Sequence, residues 1–274
     1  MVYMGSKSHI AKHIVPIIQS YIDKNPTNTV YIEPFVGGAN VIDKIKCPLR
    51  MGCDLNKYVI ALFGHLQNGG ELYESVDRKL YNEAREDWKN QSGKFKDWEL
   101  GNIGFLASYN GRFFDGGYAK SGYEKTKSGL RYRDYYQENK RNILKQVSNK
   151  DFNKIDFLNL DYRDTISIAS SSSVSFVLLY GINKDIVMYC DPPYQNSKKY
   201  NISKNFDYDE FWSSLITLNE AIKNVTIFVS EQTIPDEYKD KFKCVWQQEV
   251  RRTIKAVEKK KATEKLFLCK KGGN

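Results

Sequence analysis

The sequence predicts an α/β fold: a mostly parallel sheet flanked by helices, closed by a terminal antiparallel hairpin and interrupted by a helical, loop-rich insert. Three observations predict it. Short apolar runs that end in turn residues alternate with amphipathic stretches, the pattern of parallel strands joined by helices. That alternation breaks down between about 61 and 150, where the chain is tyrosine-rich, charged and dotted with glycine. Two strand candidates, 244–254 and 264–269, then lie close together near the end, as in a hairpin.

Each element has its own warrant. Residues 8–24 set Ile10, Ile14, Ile17, Ile18, Tyr21 and Ile22 on one helical face, the period of an amphipathic helix. The run TVYIEPFV at 29–36 reads as a buried strand, ending in the loop Gly37-Gly38-Ala39-Asn40. A second short strand at 49–55 closes on Asp54, with a helix after it. Further strands are expected at 155–160, 185–190 and 225–230, and helices over 207–223 and part of 135–147. The serine run 170–173 marks a loop.

Composition bounds the function. At 274 residues the chain fits one large domain, or one domain with an insert. With 41% hydrophobic and 27% charged residues it is ordinary for a soluble globular protein. No run reaches the roughly 18 apolar residues of a membrane span, and the first residues lack a signal-peptide pattern. Five cysteines without CxxC spacing and three histidines argue against a zinc site. A cytoplasmic protein with no metal is expected, a monomer in solution.

The net charge of +9 is unevenly placed. Residues 112–150 carry ten Lys/Arg against four Asp/Glu, and residues 250–274 carry nine against two, which leaves the rest of the chain at −4. Two basic blocks on an acidic body suggest a polyanion surface; a solvated surface face is the plain alternative.

Two loops carry candidate chemistry. Glu33-Pro34-Phe35-Val36-Gly37-Gly38-Ala39 joins a strand to a helix through paired glycines, which lets a cofactor approach the backbone. It is neither GxGxxG nor a P-loop, and an ordinary turn would also use glycine. Asp54 ends the next strand, where an acid can take both hydroxyls of a ribose or cap the following helix. The second loop is VMYCDPPYQN at 187–196. Two prolines stop the strand, since neither donates a ladder hydrogen bond. Asp191 can accept from an exocyclic amine, the Pro192 carbonyl can accept a second hydrogen bond, and the Tyr194 ring can stack. Together they suit a planar ring bearing an amino group; a tight turn with incidental side chains is the alternative.

These residues carry a resemblance. Asp191-Pro192-Pro193-Tyr194, with Glu33-Pro34-Phe35-Val36-Gly37-Gly38 and Tyr3-Met4-Gly5-Ser6-Lys7, resembles the Dam-type DNA adenine-N6 methyltransferases. Tyr109-Asn110-Gly111 resembles a stretch of that family's insert. Val229-Ser230-Glu231 resembles the end of a later strand, and Arg251-Arg252 with Glu264-Lys265 resembles the tail motif. The resemblance covers nearly the full length, in the family's order.

It implies a Rossmann-like methyltransferase sheet divided as 1–60 (catalytic, cofactor-binding), 61–150 (target-recognition, DNA-binding) and 151–274 (catalytic). It implies S-adenosylmethionine as cofactor and double-stranded DNA as partner. Tyr3, Lys7, Glu33, Pro34, Phe35, Gly37, Asp54, Asp161 and Asp191 would form the cofactor side, with Asp54 on the ribose and Asp161 on the adenine amine. Asp191, Pro192, Pro193 and Tyr194 would be catalytic. The glycine loop departs from the common GxG spacing, serine replaces a glycine before Lys7, and 165–184 is longer than usual.

An adenine amine is a poor nucleophile because its lone pair conjugates with the ring. Hydrogen bonds to Asp191 and the Pro192 carbonyl would free that pair, while Tyr194 stacks on a base taken out of the duplex. Cys190 precedes Asp191 on a buried strand and reads as a small hydrophobe. Nine aromatics between 105 and 136 interleave with arginines, with at least half expected in the module's own core. Asn110, Arg112, Arg131 and Arg133 are the expected DNA contacts. Cytosine-N4 methylation, protein-glutamine methylation and an idle DNA-binding protein that kept the fold are the competing readings.

Overall fold

A computed structural model describes residues 1–126, 129–170, 184–194, 206–255 and 258–271, without the side chains of 126, 251–255 and 258–261. The serine run beyond Ser170, most of 165–184, and Gln195 and Asn196 lie outside the described residues, as do the side chains of Arg251 and Arg252.

The parallel part of the sheet is made of β1 (Thr29–Glu33), β2 (Leu49–Cys53), β5 (Ile155–Leu158), β6 (Asp185–Cys190) and β7 (Val225–Glu231). A terminal hairpin, β8 (Phe242–Lys255) and β9 (Glu258–Cys269), completes it, with β9 antiparallel to both β7 and β8. The order is β5-β2-β1-β6-β7-β9-β8. β8 exceeds the expected 244–254 by three residues, while β9 begins six residues before the expected 264–269, because its outer part, EKKKAT, is mostly polar and basic.

Alternation along each strand sends side chains to two faces. Tyr31, Val187, Tyr189 and Phe228 face one core; Val30, Ile32, Met188, Cys190 and Val229 face the other. The second core is covered by α6 (Tyr162–Ser170) and the later helix α7 (Tyr208–Ala221). The first core is covered by α1 (Ala11–Ile22) and α2 (Lys57–Gln67), and then by α3 (Arg78–Asn90), α4 (Asp97–Leu106) and α5 (Tyr135–Val147).

Region 61–150 packs its helices onto the first core of the sheet. Leu100, Ile103, Phe113, Tyr136 and Ile143 belong to the same apolar cluster as Ile14 and Tyr31, and α2 runs through position 61. None of its described residues pairs with the seven-stranded sheet; its described strands, β3 (Gly122–Thr126) and β4 (Gly129–Arg133), form their own antiparallel ribbon. The alternation of the sequence breaks there because α2, α3 and α4 follow one another with no strand between them, and the short β3–β4 ribbon precedes α5.

Candidate active site

Strand order reverses between β1 and β6: from β1 the chain moves outward to β2 and β5, then returns to β6 and β7 on the other side. At such a point the loops leaving the two strands part, opening a crevice at the carboxyl edge. Glu33 ends β1 and Cys190 ends β6, so the loops starting at Pro34 and Asp191 leave from either side of it.

Asp191 is held by a buried lysine. Lys7 Nζ lies 2.6 Å from Oδ1 and 2.8 Å from Oδ2, with Lys7 6% and Asp191 18% exposed. A lysine this buried needs an opposite charge. The same ammonium donates to the Gly5 carbonyl at 3.1 Å and sits 4.6 Å above the Tyr194 ring, a cation–π contact. The Tyr194 hydroxyl in turn donates to Glu264 Oε2 at 2.5 Å, and both residues are buried. Pro192 and Pro193 stiffen the link between Asp191 and Tyr194.

Further acids crowd this edge. Glu231, the last residue of β7, is buried, and burial pushes its carboxyl up to about 7; Asp191 and Glu264 add to the rise, while the Gln232 N–H and Lys7 oppose it. Glu33 is likewise pushed up by burial and accepts the Tyr31 hydroxyl at 2.7 Å. Burial also drives the Cys190 thiol up, as suits a small core residue.

On the β1 side, Gly37 (φ +47°) donates its N–H to Asp54 Oδ2 at 2.9 Å, and Asn56 N–H donates to Oδ1 at 2.9 Å. Capping of α2 falls to Asn56, which accepts from Tyr58 N–H, so Asp54 is left to tie two strand-end loops together. Burial pushes Asp54 up to about 6 against these hydrogen bonds. The paired glycines admit Tyr3: a Cβ on Gly37 would lie 2.9 Å from its Cε1, and one on Gly38 2.8 Å from its Cβ. Burial raises the Tyr3 phenol well above its usual range, and the charges of Asp54 and Asp191 both add to the rise. Tyr3 thus packs between the β1 glycine loop and Phe105.

Phe35 and Asp161 form a separate group. The Phe35 ring stacks on Tyr162 at 5.6 Å, against Phe206 and Phe211, and Pro34 is buried beside it. Asp161 opens α6, accepting from Arg163 N–H at 2.8 Å and pairing with its guanidinium at 3.3 Å.

The expected DNA contacts divide in two. The turn Tyr109-Asn110-Gly111 presses on the N-terminal segment; a Cβ on Gly111 (φ +64°) would lie 2.9 Å from the Val2 carbonyl. Asn110, itself at φ +55°, and Arg112 are exposed there, beside the backbone that carries Tyr3. Arg131 and Arg133 sit on β4, both paired with Glu138 of α5 at 2.9 and 2.7 Å, and Arg133 also stacks on Tyr135. Of the nine aromatics, Phe105, Phe113, Phe114 and Tyr136 are buried, and Tyr118 and Tyr135 half-buried; Tyr109, Tyr123 and Tyr132 are exposed.

Sequence reasoning assigned no role to Glu231, Glu264 or Asn56. The available signal was an acid two positions before Leu266, on the inward face of an otherwise apolar strand end.

The family model for D12 class N6 adenine-specific DNA methyltransferase matches residues 3–263. The chain belongs to that family. A search of curated proteins finds no match. Among solved structures, a crystal structure of SMU.472 complexed with SAH aligns with 94% of this chain at 12% identity and a TM-score of 0.32. The chain spans about half the length of that protein, 53%.

Proposed function

We propose that the chain transfers a methyl group from S-adenosylmethionine to the N6 amine of an adenine in double-stranded DNA. The observation that carries this reading is the geometry at the end of β6, in a chain of that family: Asp191 held by Lys7, two rigid prolines, and Tyr194 pinned beside them.

The residues at the β1 and β2 ends fit such a cofactor. A half-buried Asp54, pushed up by burial to about 6, gains from hydroxyl donors that hold its charged form. Phe35 offers a ring at the same edge. When bound, the cofactor supplies an already activated methyl group. Asp191 and the Pro192 carbonyl accept hydrogen bonds from the amine and turn its lone pair toward that methyl. Tyr194 stacks on the extruded base, and in-line positioning supplies much of the rate. The amine loses one proton as the new C–N bond forms, and the carboxylates at this edge are the nearest acceptors.

Region 61–150 is read as the DNA-recognising part. Asn110 and Arg112 stand exposed beside the segment that carries Tyr3, and the ribbon offers Arg131, Arg133, Tyr123 and Tyr132 to a duplex. Incubation with adenine-containing duplex DNA and the cofactor, followed by digestion and mass spectrometry, tests the reading. N6-methyladenine is expected; a methyl group on cytosine or on protein overturns it.

A further inference from the structure

We propose that Glu264 is a positioning residue: from the terminal hairpin it fixes the Tyr194 ring in the pose that receives the extruded base. The proposal rests on the methyltransferase reading above.

The topology explains how a residue 70 positions beyond Tyr194 reaches it. β9 runs antiparallel to β7, with Lys265 opposite Glu231 at the end of β7. The middle of β9 therefore lies at the carboxyl edge, where only the ends of β6 and β7 would otherwise stand. Glu264 is paired across the ladder with Gln248 of β8, so its backbone is fixed from that side. Its side chain is 1% exposed. A carboxylate buried this far costs stability unless strong donors face it. The Tyr194 hydroxyl is such a donor at 2.5 Å, the short distance of a charge-assisted bond.

The ring is then held at three places. Its Cα end follows two prolines, its hydroxyl end is tied to Glu264, and one face carries the Lys7 ammonium. A stacking platform gains most when it is already ordered before the base arrives. Without Glu264 the hydroxyl end is free to swing and the platform must be ordered at each encounter.

The test compares Glu264→Ala, Glu264→Gln, Tyr194→Phe and the double variant Glu264→Ala/Tyr194→Phe. Single-turnover methyl transfer and the fluorescence of 2-aminopurine at the target position are read, with cofactor binding and thermal melting measured alongside. Losing a hydrogen bond to a charged group predicts a fall of about 10- to 100-fold in transfer for Glu264→Ala, with weaker 2-aminopurine extrusion. Glu264→Gln keeps an acceptor and stays within about threefold of wild type on the same scale. Tyr194→Phe, which keeps the ring, shows the same extrusion defect, and the double variant is no worse than either single one. Additive losses, an inactive Glu264→Gln that still folds, or full extrusion by Tyr194→Phe each overturn the proposal. The Tyr194→Phe arm decides even if Glu264→Ala does not fold. Wild-type N6-methyladenine with normal extrusion by Glu264→Ala sinks this inference alone, whereas wild type that makes no N6-methyladenine sinks the functional reading and the inference with it.

Discussion

The carboxyl edge of the sheet and the β3–β4 ribbon both hold arginine or lysine against carboxylate, under opposite physical conditions. At the edge, Lys7 and Asp191 are 6% and 18% exposed; on the ribbon, Arg131 is 65% exposed beside Glu138. A buried pair has replaced its water and is strongly destabilised by losing one member. A surface pair is screened and is worth about 0–1 kcal/mol. The edge therefore keeps its charges in fixed positions, as orientation chemistry needs. On the ribbon Arg131 stays largely in water even though its partner Glu138 is only 18% exposed, so that pair holds its cation far less firmly than the edge does.

The strongest way to break this contrast is Asp191→Ala. Methyl transfer in a single turnover should fall by about 10²–10⁴. Urea unfolding should show a loss of about 3 kcal/mol, because Lys7 is left buried without its ion-pair partner. Adding Lys7→Met should restore stability but not transfer. Transfer by Asp191→Ala near the wild-type rate would remove Asp191 from the chemistry.

Glu231 sharpens the electrostatic side. Its folded value of about 7 lies above the usual 4.5, so the folded chain holds a proton that the unfolded chain has released across that window. The unfolded state then binds fewer protons, and stability falls as pH rises from about 4.5 to about 7. Glu231→Gln removes the charge and should gain stability over wild type through that window. At pH 8 the gain should reach about 3 kcal/mol by linkage, read from paired urea titrations at pH 4 and 8. A constant difference between the two proteins would place the carboxylate in water.

Tyr194→Ala should weaken capture of the extruded base by about 1–3 kcal/mol, seen as reduced 2-aminopurine fluorescence with duplex binding preserved. The smallest effect on stability should come from the ribbon. Arg131→Ala/Arg133→Ala should change unfolding free energy by less than about 1 kcal/mol. If about five phosphates are contacted, wild-type log K should fall with log salt at a slope of roughly −4 to −5. The double variant should flatten it by up to about 2; an unchanged slope would put both arginines away from DNA.

Local pattern settled much of this molecule. Strand cores, the amphipathic α1, the stop at Pro192 and the terminal hairpin were legible because they depend on side-chain period and on the missing N–H of proline, both properties of neighbours in sequence. The ordered motifs placed Asp191, Tyr194, Lys7 and Asp54 at strand ends or in the segment that meets them. Sequence also left Asp54 open between ribose ligand and helix cap, and only the packed structure shows Asn56 taking the cap. Nor did sequence show that α3, α4 and α5 share the core of the sheet, because which apolar faces meet depends on crossings that no single stretch encodes. Glu264 is the plainest case. Its charge was visible in the tail, but its partner lies 70 residues back. Only the antiparallel return of β9 carries that carboxylate to the edge where β6 ends, and burial there turns an ordinary glutamate into the anchor of Tyr194.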